Sequence, residues 1–257
     1  MTPHKVQRIR AMKGRERIAA LTAYDFPMAQ MLDAAGIPLL LVGDSLGMVV
    51  LGYPNTTLVT MEDMEHHVRA VARAKPKALL VADMPYGSCV TPVKAVENAR
   101  RLKAAGAEAV KTEGGQKILP QIEAILAEGI PVVGHLGMLP QNAVIEGGYH
   151  VKGKSEEERL ALIADAKAVA QAGAFAVVLE LVTPPVAAEI TAQIPIPTIG
   201  IGAGRKCDGE ILVITDLLGT SPGGFIPKHV KKSWRMSEQI RAAVVEWKEG
   251  VEHPAQP

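Results

Sequence analysis

The chain has 257 residues, of which 48% are hydrophobic and 21% are charged, and its formal net charge is +1. This composition can bury a large core, and the near-neutral charge gives no indication of a nucleic-acid partner. The two cysteines, Cys89 and Cys207, predict no disulfide framework, and the lack of Cys-x-x-Cys or His-x-x-x-His pairs argues against zinc. The charged N-terminus does not resemble a secretory signal, and no apolar run is long enough to span a membrane, so we expect a soluble cytoplasmic protein.

Short apolar runs alternate with Ala-rich helical patterns along the chain. The runs lack polar alternation, which is typical of parallel strands that are covered on both faces. Several of the helical stretches start at Thr, Ser or Asp and end at Gly, as helix caps do. The eight predicted strands cover residues 17–24, 38–44, 78–84, 108–114, 130–136, 174–182, 196–203 and 211–218.

Eight strand–helix units in a chain of this length predict an α/β fold, a TIM (β/α)8 barrel. We expect residues 1–257 to form a single barrel domain with a short N-terminal helical extension. One unit fits poorly, because the seventh and eighth strands are close together and leave room only for a short helical turn. The alternative is an open, doubly wound sheet.

Polar residues cluster at the predicted C-terminal ends of the strands, where barrel enzymes place their chemistry. Asp44 and Asp83 end neighbouring strands. Each could cap a helix, but together they could hold one divalent cation such as Mg²⁺. Lys111 and Glu113 point to the same side of one strand, either as a structural ion pair or as a substrate-carboxylate contact and a metal-site residue.

Three further residues lie at strand ends. His135 is either a packed, hydrogen-bonded residue or a functional one, and Ser45 either caps a helix or binds a substrate oxygen. Glu180 lies inside an apolar run, where strand alternation predicts that it shares a face with Val178 and Val182. A buried carboxylate without a partner is costly, so Glu180 is either half of an ion pair or a general base at the mouth of the barrel.

Seven motifs, in order, resemble the ketopantoate hydroxymethyltransferase family: TAYD (22–25), LLVGDSLGM (40–48), ADMPYGS (82–88), VKTEGG (110–115), GHLGMLPQ (134–141), GGYHVKG (147–153) and GIGAGRKCDGEILV (200–213). The resemblance runs from about residue 17 to the final helix. It implies a barrel of the phosphoenolpyruvate/pyruvate type. It also implies transfer of a one-carbon unit from 5,10-methylenetetrahydrofolate to 3-methyl-2-oxobutanoate, giving 2-dehydropantoate for pantothenate and coenzyme A.

The resemblance also implies roles for the polar residues. It makes Asp44 and Asp83 ligands of Mg²⁺, with Glu113 as a further ligand, and it makes Glu180 the proton acceptor. It implies a homodecamer that binds a small 2-oxo acid and folate. The expected substrate contacts are Asp44, Ser45, Asp83, Lys111 and His135. Two rivals stay open: another Mg²⁺-dependent 2-oxo acid lyase or aldolase, and a barrel that binds a metabolite without turnover. The Lys-Lys-Cys-Gly type of loop usual in such lyases is not found in the sequence.

Overall fold

The structure, a computed structural model, describes residues 2–231 and 233–253. Its strands form a closed parallel barrel in chain order. They are β1 Ile18–Thr22, β2 Leu39–Val42, β3 Leu79–Asp83, β4 Ala109–Glu113, β5 Val132–Gly137, β6 Ala176–Glu180, β7 Thr198–Ile201 and β8 Gly209–Leu212. The last strand pairs with the first, with Ala20 opposite Ile211. The predicted barrel is confirmed, and the open-sheet alternative is wrong.

Helices surround the sheet and follow the strands. They are α1 Thr2–Ala11, α2 Phe26–Ala34, α3 Leu46–Val49, α4 Met61–Ala72, α5 Pro92–Ala105, α6 Leu119–Ala127, α7 Glu156–Ala172, α8 Pro184–Gln193, α9 Ile214–Leu218 and α10 Met236–Glu252. Short 3₁₀ turns cover residues 56–58, 116–118, 140–142 and 222–224. Within the described residues, no helix combines the length and the apolar character that a membrane crossing requires.

Local capping explains where several helices begin and end. Thr60 and Asp63 accept hydrogen bonds from each other's backbone N–H groups, which forms a capping box at the start of α4. At the starts of α5 and α7, the side chains of Thr91 and Ser155 each accept one hydrogen bond from a backbone N–H of the first turn. Helix α7 ends at Gly173, whose φ of 107° favours glycine. Each N-cap contributes about 1 kcal/mol, so these boundaries are encoded locally.

The strands are apolar without polar alternation because both faces of the sheet are covered. In β2, Leu39 and Leu41 belong to the cluster inside the barrel, together with Ile211. Leu40 and Val42 belong to the larger cluster between the sheet and the helices. Complete burial of an aliphatic side chain contributes about 1.5–3 kcal/mol, so packing on both faces stabilises each strand.

Helix α1 covers the N-terminal end of the barrel. Its residue Ile9, and Met12 directly after the helix, pack into the interior cluster. The Lys5 ammonium donates hydrogen bonds to the carbonyl oxygens of Pro76 and Ala78, at 2.9 and 3.0 Å, just before β3 begins. Helix α1 therefore occupies the end of the barrel opposite the one where the strands finish.

The eighth strand lies earlier than the sequence predicted. It covers Gly209–Leu212, and the rest of the apolar run 211–218 forms α9. The expected short helical turn before it is absent from the described residues, because 202–208 is an irregular loop. Gly209 lies so close to β1 that a Cβ there would meet the Ile18 carbonyl oxygen at 2.4 Å. A short apolar run fits either element, so periodicity alone could not place the boundary.

Candidate active site

The strand register brings the predicted polar residues together at the C-terminal mouth of the barrel. Asp83 lies opposite Lys111 across the β3–β4 pair. Glu113 lies opposite His135 across β4–β5. Glu180 lies opposite a glycine across β5–β6. Parallel pairing thus converts residues that are far apart in the sequence into one polar cluster.

Two buried aspartates form one side of this cluster. Asp44 and Asp83 are each 3% exposed, and the Asp44 backbone N–H donates to Asp83 Oδ2 at 3.0 Å. Burial raises the pKa of Asp44 well above its usual range, and the charges of Asp83 and Glu113 raise it further. Burial also raises the pKa of Asp83, although Lys111 opposes this. Neighbouring buried carboxylates repel each other and favour a cation between or beside them.

Lys111 pairs with Asp83, so the alternative of a structural ion pair between Lys111 and Glu113 is wrong. Its Nζ lies 2.7 Å from Asp83 Oδ1, and both side chains are nearly inaccessible to solvent. Burial alone would lower the pKa of Lys111, but the charges of Asp83, Glu113 and Asp44 outweigh it and keep the pKa raised. The mouth therefore contains a buried ammonium that is paired with a carboxylate.

His135 lies between two glutamates. Its Nδ1 is 3.3 Å from Glu113 Oε1, and its Nε2 is 3.3 Å from Glu180 Oε2. Burial and Lys111 lower the pKa of His135, but the contacts with Glu113 and Glu180 raise it overall. Nδ1 is also 3.2 Å from Lys111 Nζ. Nδ1 donates toward the glutamate when it carries a hydrogen and accepts from the lysine when it does not, so the tautomer and protonation state of the ring together decide its partner.

Glu180 points into the mouth because β6 ends there. Val178 belongs to the barrel-interior cluster, which confirms that this strand face is the inner one. The prediction for Val182 is wrong, since it packs in the outer cluster. The reason is Leu181, whose φ of 48° turns the chain and ends the alternation. Such a backbone conformation costs a non-glycine residue about 1–3 kcal/mol.

The β5 strand approaches Glu180 closely. The Met138 N–H donates to the Glu180 carbonyl oxygen at 2.8 Å. A Cβ on Gly137 would lie 2.2 Å from that oxygen, and the φ of Gly137 is 97°. This position therefore requires glycine for both space and backbone conformation.

Ser45 begins the short helix α3, but its side chain does not cap it. Its Oγ instead lies 2.8 Å from the hydroxyl of Tyr24. Tyr24 is 4% exposed, and its pKa is raised, chiefly by burial. Of the two alternatives for Ser45, side-chain capping is therefore wrong, and the hydroxyl faces another polar group beside Asp44.

Sequence reasoning missed two residues of the segment after β5. The Gln141 amide donates to Asp44 Oδ2 at 2.8 Å. Tyr149 is 49% exposed, and its pKa is raised by partial burial and then by the charges of Glu180 and Asp44. It therefore lies at the rim of the mouth. Both residues stand inside the recognised motifs, but nothing in one sequence shows that loop side chains reach back to the strand ends.

The side chains fit a Mg²⁺ ion held by few protein ligands. Within the described residues, no three His, Cys, Asp or Glu side chains group closely enough to form a metal site by themselves. Asp44, Asp83 and Glu113 offer carboxylate oxygens, and Glu113 Oε1 is buried without a well-aligned hydrogen bond. Mg²⁺ usually takes one or two carboxylates and keeps several waters, which suits Asp44 and Asp83.

The closed barrel and the convergent carboxylates, ammonium and imidazole at its C-terminal mouth define a (β/α)8-barrel enzyme. The sequence profile of ketopantoate hydroxymethyltransferase matches residues 3–257. A 3-methyl-2-oxobutanoate hydroxymethyltransferase from Ignicoccus hospitalis is 53% identical over 93% of this chain and 90% of its own. The chain belongs to the ketopantoate hydroxymethyltransferase family.

Solved structures share the fold at low sequence identity. Phosphonopyruvate hydrolase in complex with oxalate and Mg²⁺ superposes with a TM-score of 0.60 at 18% identity, covering 96% of this chain and 86% of that one. 2,3-Dimethylmalate lyase, a member of the PEP mutase/isocitrate lyase superfamily, gives 0.59 at 17% identity, covering 98% and 89%. Both likenesses show the barrel fold.

Proposed function

We propose that this chain transfers a hydroxymethyl group from 5,10-methylenetetrahydrofolate to 3-methyl-2-oxobutanoate and releases 2-dehydropantoate for pantothenate synthesis. The observation that carries the proposal is the placement of Glu180 on the same mouth as a buried ammonium and two buried aspartates. An anion binds to the cationic part of this mouth, and a carboxylate then faces it as a base. Family membership supports the choice of reaction.

Lys111 and Ser45 are the proposed contacts of the oxo acid. The Lys111 ammonium is held in place by Asp83 at 2.7 Å, so it needs little reorganisation to bind a carboxylate. The Ser45 hydroxyl, oriented by Tyr24, can donate to a second oxygen. His135 is proposed to lie beside the substrate, since its ring borders both Lys111 and Glu180.

Asp44 and Asp83 are the proposed holders of Mg²⁺, with Glu113 supporting the site from β4. The phosphonopyruvate hydrolase that shares the fold was solved with Mg²⁺ and oxalate, which is a small dicarboxylate. When bound, Mg²⁺ would supply Lewis-acid stabilisation of negative charge on the oxo acid. The carboxylate oxygens of Asp44 and Asp83 suit this ion better than a soft metal.

Glu180 is the proposed general base that removes the C3 proton of 3-methyl-2-oxobutanoate. Its side chain is 15% exposed, so it is partly desolvated but reachable. The carbanion at C3 then forms a bond to the methylene carbon of the folate. The bond between that carbon and the folate nitrogen breaks and releases tetrahydrofolate, and water supplies the hydroxyl of the hydroxymethyl group and the proton for the folate nitrogen. A positioned base contributes about 10²–10⁴-fold, so electrostatic stabilisation must supply much of the remaining acceleration.

Decameric assembly and a cytoplasmic location remain predictions. One feature favours self-association: helix α10 buries no residue and exposes an apolar stripe at helical spacing. The exposed members of this stripe are Ile240, Val244, Trp247 and Val251. Sedimentation equilibrium of the full chain measures the oligomer number, and a monomer would contradict this expectation.

The proposed reaction is tested by mixing the protein with 3-methyl-2-oxobutanoate, Mg²⁺ and 5,10-methylenetetrahydrofolate and following 2-dehydropantoate by mass spectrometry. We expect product only when folate, metal and protein are all present. Cleavage of a 2-oxo acid without folate would favour the lyase alternative. Binding of the oxo acid without any product would favour a barrel that only binds a metabolite.

A further inference from the structure

Gln141 joins the ends of three strands at the mouth. It lies in the 3₁₀ turn that follows β5. Its Nε2 donates to Asp44 Oδ2 at 2.8 Å and to the Met84 carbonyl oxygen at 2.9 Å. Its backbone N–H donates to Glu113 Oε2 at 3.1 Å. Both amide hydrogens are therefore used, and one residue fixes groups at the ends of β2, β3 and β4.

The turn that carries Gln141 is itself well fixed. Pro140 occupies its first helical position, where a preset φ favours the helical conformation. The Asn142 N–H donates to the Leu139 carbonyl oxygen at 2.8 Å. The side chain of Gln141 therefore extends from a restrained backbone, which lowers the entropy cost of holding Asp44.

The hydrogen bond to Asp44 differs from the one that holds Asp83. Asp83 is paired with the Lys111 ammonium, which compensates its charge. Asp44 receives a neutral amide donor, and within the described residues it forms no ion pair. A neutral donor orients a carboxylate but leaves its negative charge for a cation. Asp44 is thus the uncompensated carboxylate of the pair.

We propose that Gln141 is a positioning residue of the Mg²⁺ site, an inference that rests on the proposed function. It orients the Asp44 carboxylate through Oδ2, so that the other oxygen is presented to the metal. Through its backbone N–H it also holds Glu113, the carboxylate that supports the site from β4. The proposed function requires the metal site but does not assign any role to this residue.

The test measures Mn²⁺, a spectroscopic substitute for Mg²⁺, by the electron paramagnetic resonance of the free ion in the presence of the intact protein. Gln141→Ala should bind Mn²⁺ about 10–100-fold more weakly, as expected when the partner of a metal ligand is removed. Gln141→Met should lose as much, because it keeps the side-chain length but has no donor. The backbone contact to Glu113 survives in both variants.

Asn142→Ala, on the next residue of the same turn, is the matched control and should bind Mn²⁺ as wild type does. If Gln141→Met binds Mn²⁺ as wild type does while Gln141→Ala binds it weakly, the packing of the side chain rather than its hydrogen bond maintains the site. That result would overturn the proposal. Wild-type affinity in both Gln141 variants would overturn it as well. If the wild-type protein binds no Mn²⁺, the metal site of the proposed function is contradicted, and so is the positioning role of Gln141. Circular dichroism of each variant confirms that it is folded.

Discussion

Replacing Lys111 with methionine should destabilise the protein and make its stability depend on Mg²⁺. Lys111 Nζ lies 2.7 Å from Asp83 Oδ1, and the two side chains are 6% and 5% exposed. Glu113 and Asp44 add further negative charge around the ammonium. Methionine fills much of the same volume but carries no charge. The variant therefore leaves three carboxylates close together in a poorly solvated site.

The expected loss follows from this geometry. Removing one partner of a buried ion pair costs about 3–5 kcal/mol, because the other charge stays buried without compensation. A change of 1 kcal/mol shifts the Tm of a chain of this size by about 2–4 °C, so we expect a decrease of roughly 6–20 °C. Saturating Mg²⁺ supplies the missing positive charge and should raise the Tm of the variant more than that of wild type.

The pH dependence has a definite sign. Burial already raises the pKa of Asp44 and Asp83, and loss of the ammonium raises both further. A carboxyl group whose folded pKa lies above its unfolded value destabilises the fold above that folded pKa, and this penalty disappears as the pH falls and the group takes up a proton. The Tm difference between wild type and Lys111→Met should therefore be largest at neutral pH and should shrink in acid.

Calorimetry of wild type, Lys111→Met and Lys167→Met, with and without Mg²⁺, makes the measurement. Lys167 is exposed on α7, so its replacement controls for the loss of one lysine. Lys111→Met melting within about 2 °C of wild type at neutral pH would refute the reasoning, since that shift corresponds to 1 kcal/mol or less. An equal effect of Mg²⁺ on all three proteins would also refute it.

Three further predictions concern other parts of the structure. Asp83→Asn should raise the Mg²⁺ concentration for half-maximal activity at least about tenfold, and an unchanged titration would argue against Asp83 as a ligand. Gly137→Ala forces a Cβ to 2.2 Å from the Glu180 carbonyl oxygen, whereas Gly129→Ala meets nothing within 4 Å. Gly137→Ala should abolish most activity and lower the free energy of unfolding by well over 1 kcal/mol. Gly129→Ala should keep its activity and lower the free energy of unfolding, measured by thermal melting, by about 1 kcal/mol. Burial raises the pKa of Asp208, but hydrogen bonds from several chain segments outweigh it and hold the pKa low. The stability that this carboxylate supplies is therefore present above its unfolded pKa and lost as the pH falls through its folded pKa, so the Tm deficit of Asp208→Asn should vanish in strong acid.

The strands and their common mouth could be predicted because local sequence determines them. A strand covered on both faces must be apolar throughout, so a charged residue at its end stands out, as Asp83 and Glu180 do. Parallel closure then places every strand end on one rim without further information. For this reason the polar residues that the sequence predicts to converge do lie together in the structure.

The partners within that cluster could not be predicted. Lys111 and Glu113 share a strand face, but the register places Asp83 directly across from Lys111, and the ion pair forms there. Gln141 and Tyr149 come from a loop, whose side-chain directions follow no period. The prediction of the boundary between β8 and α9 was wrong for a related reason, because a short apolar run suits a strand and a buried helix equally well.

Glu180 is the proposed base that removes the C3 proton of the oxo acid, and Asp44 and Asp83 are the proposed holders of the metal that assists it. The most direct measurement follows that proton of 3-methyl-2-oxobutanoate by NMR in D₂O, with protein and Mg²⁺, with and without tetrahydrofolate. We predict exchange with wild type and loss of about 10²–10⁴-fold in Glu180→Gln, and loss also when the metal is removed. Equal exchange in wild type and Glu180→Gln, or no exchange under any condition, would contradict this account.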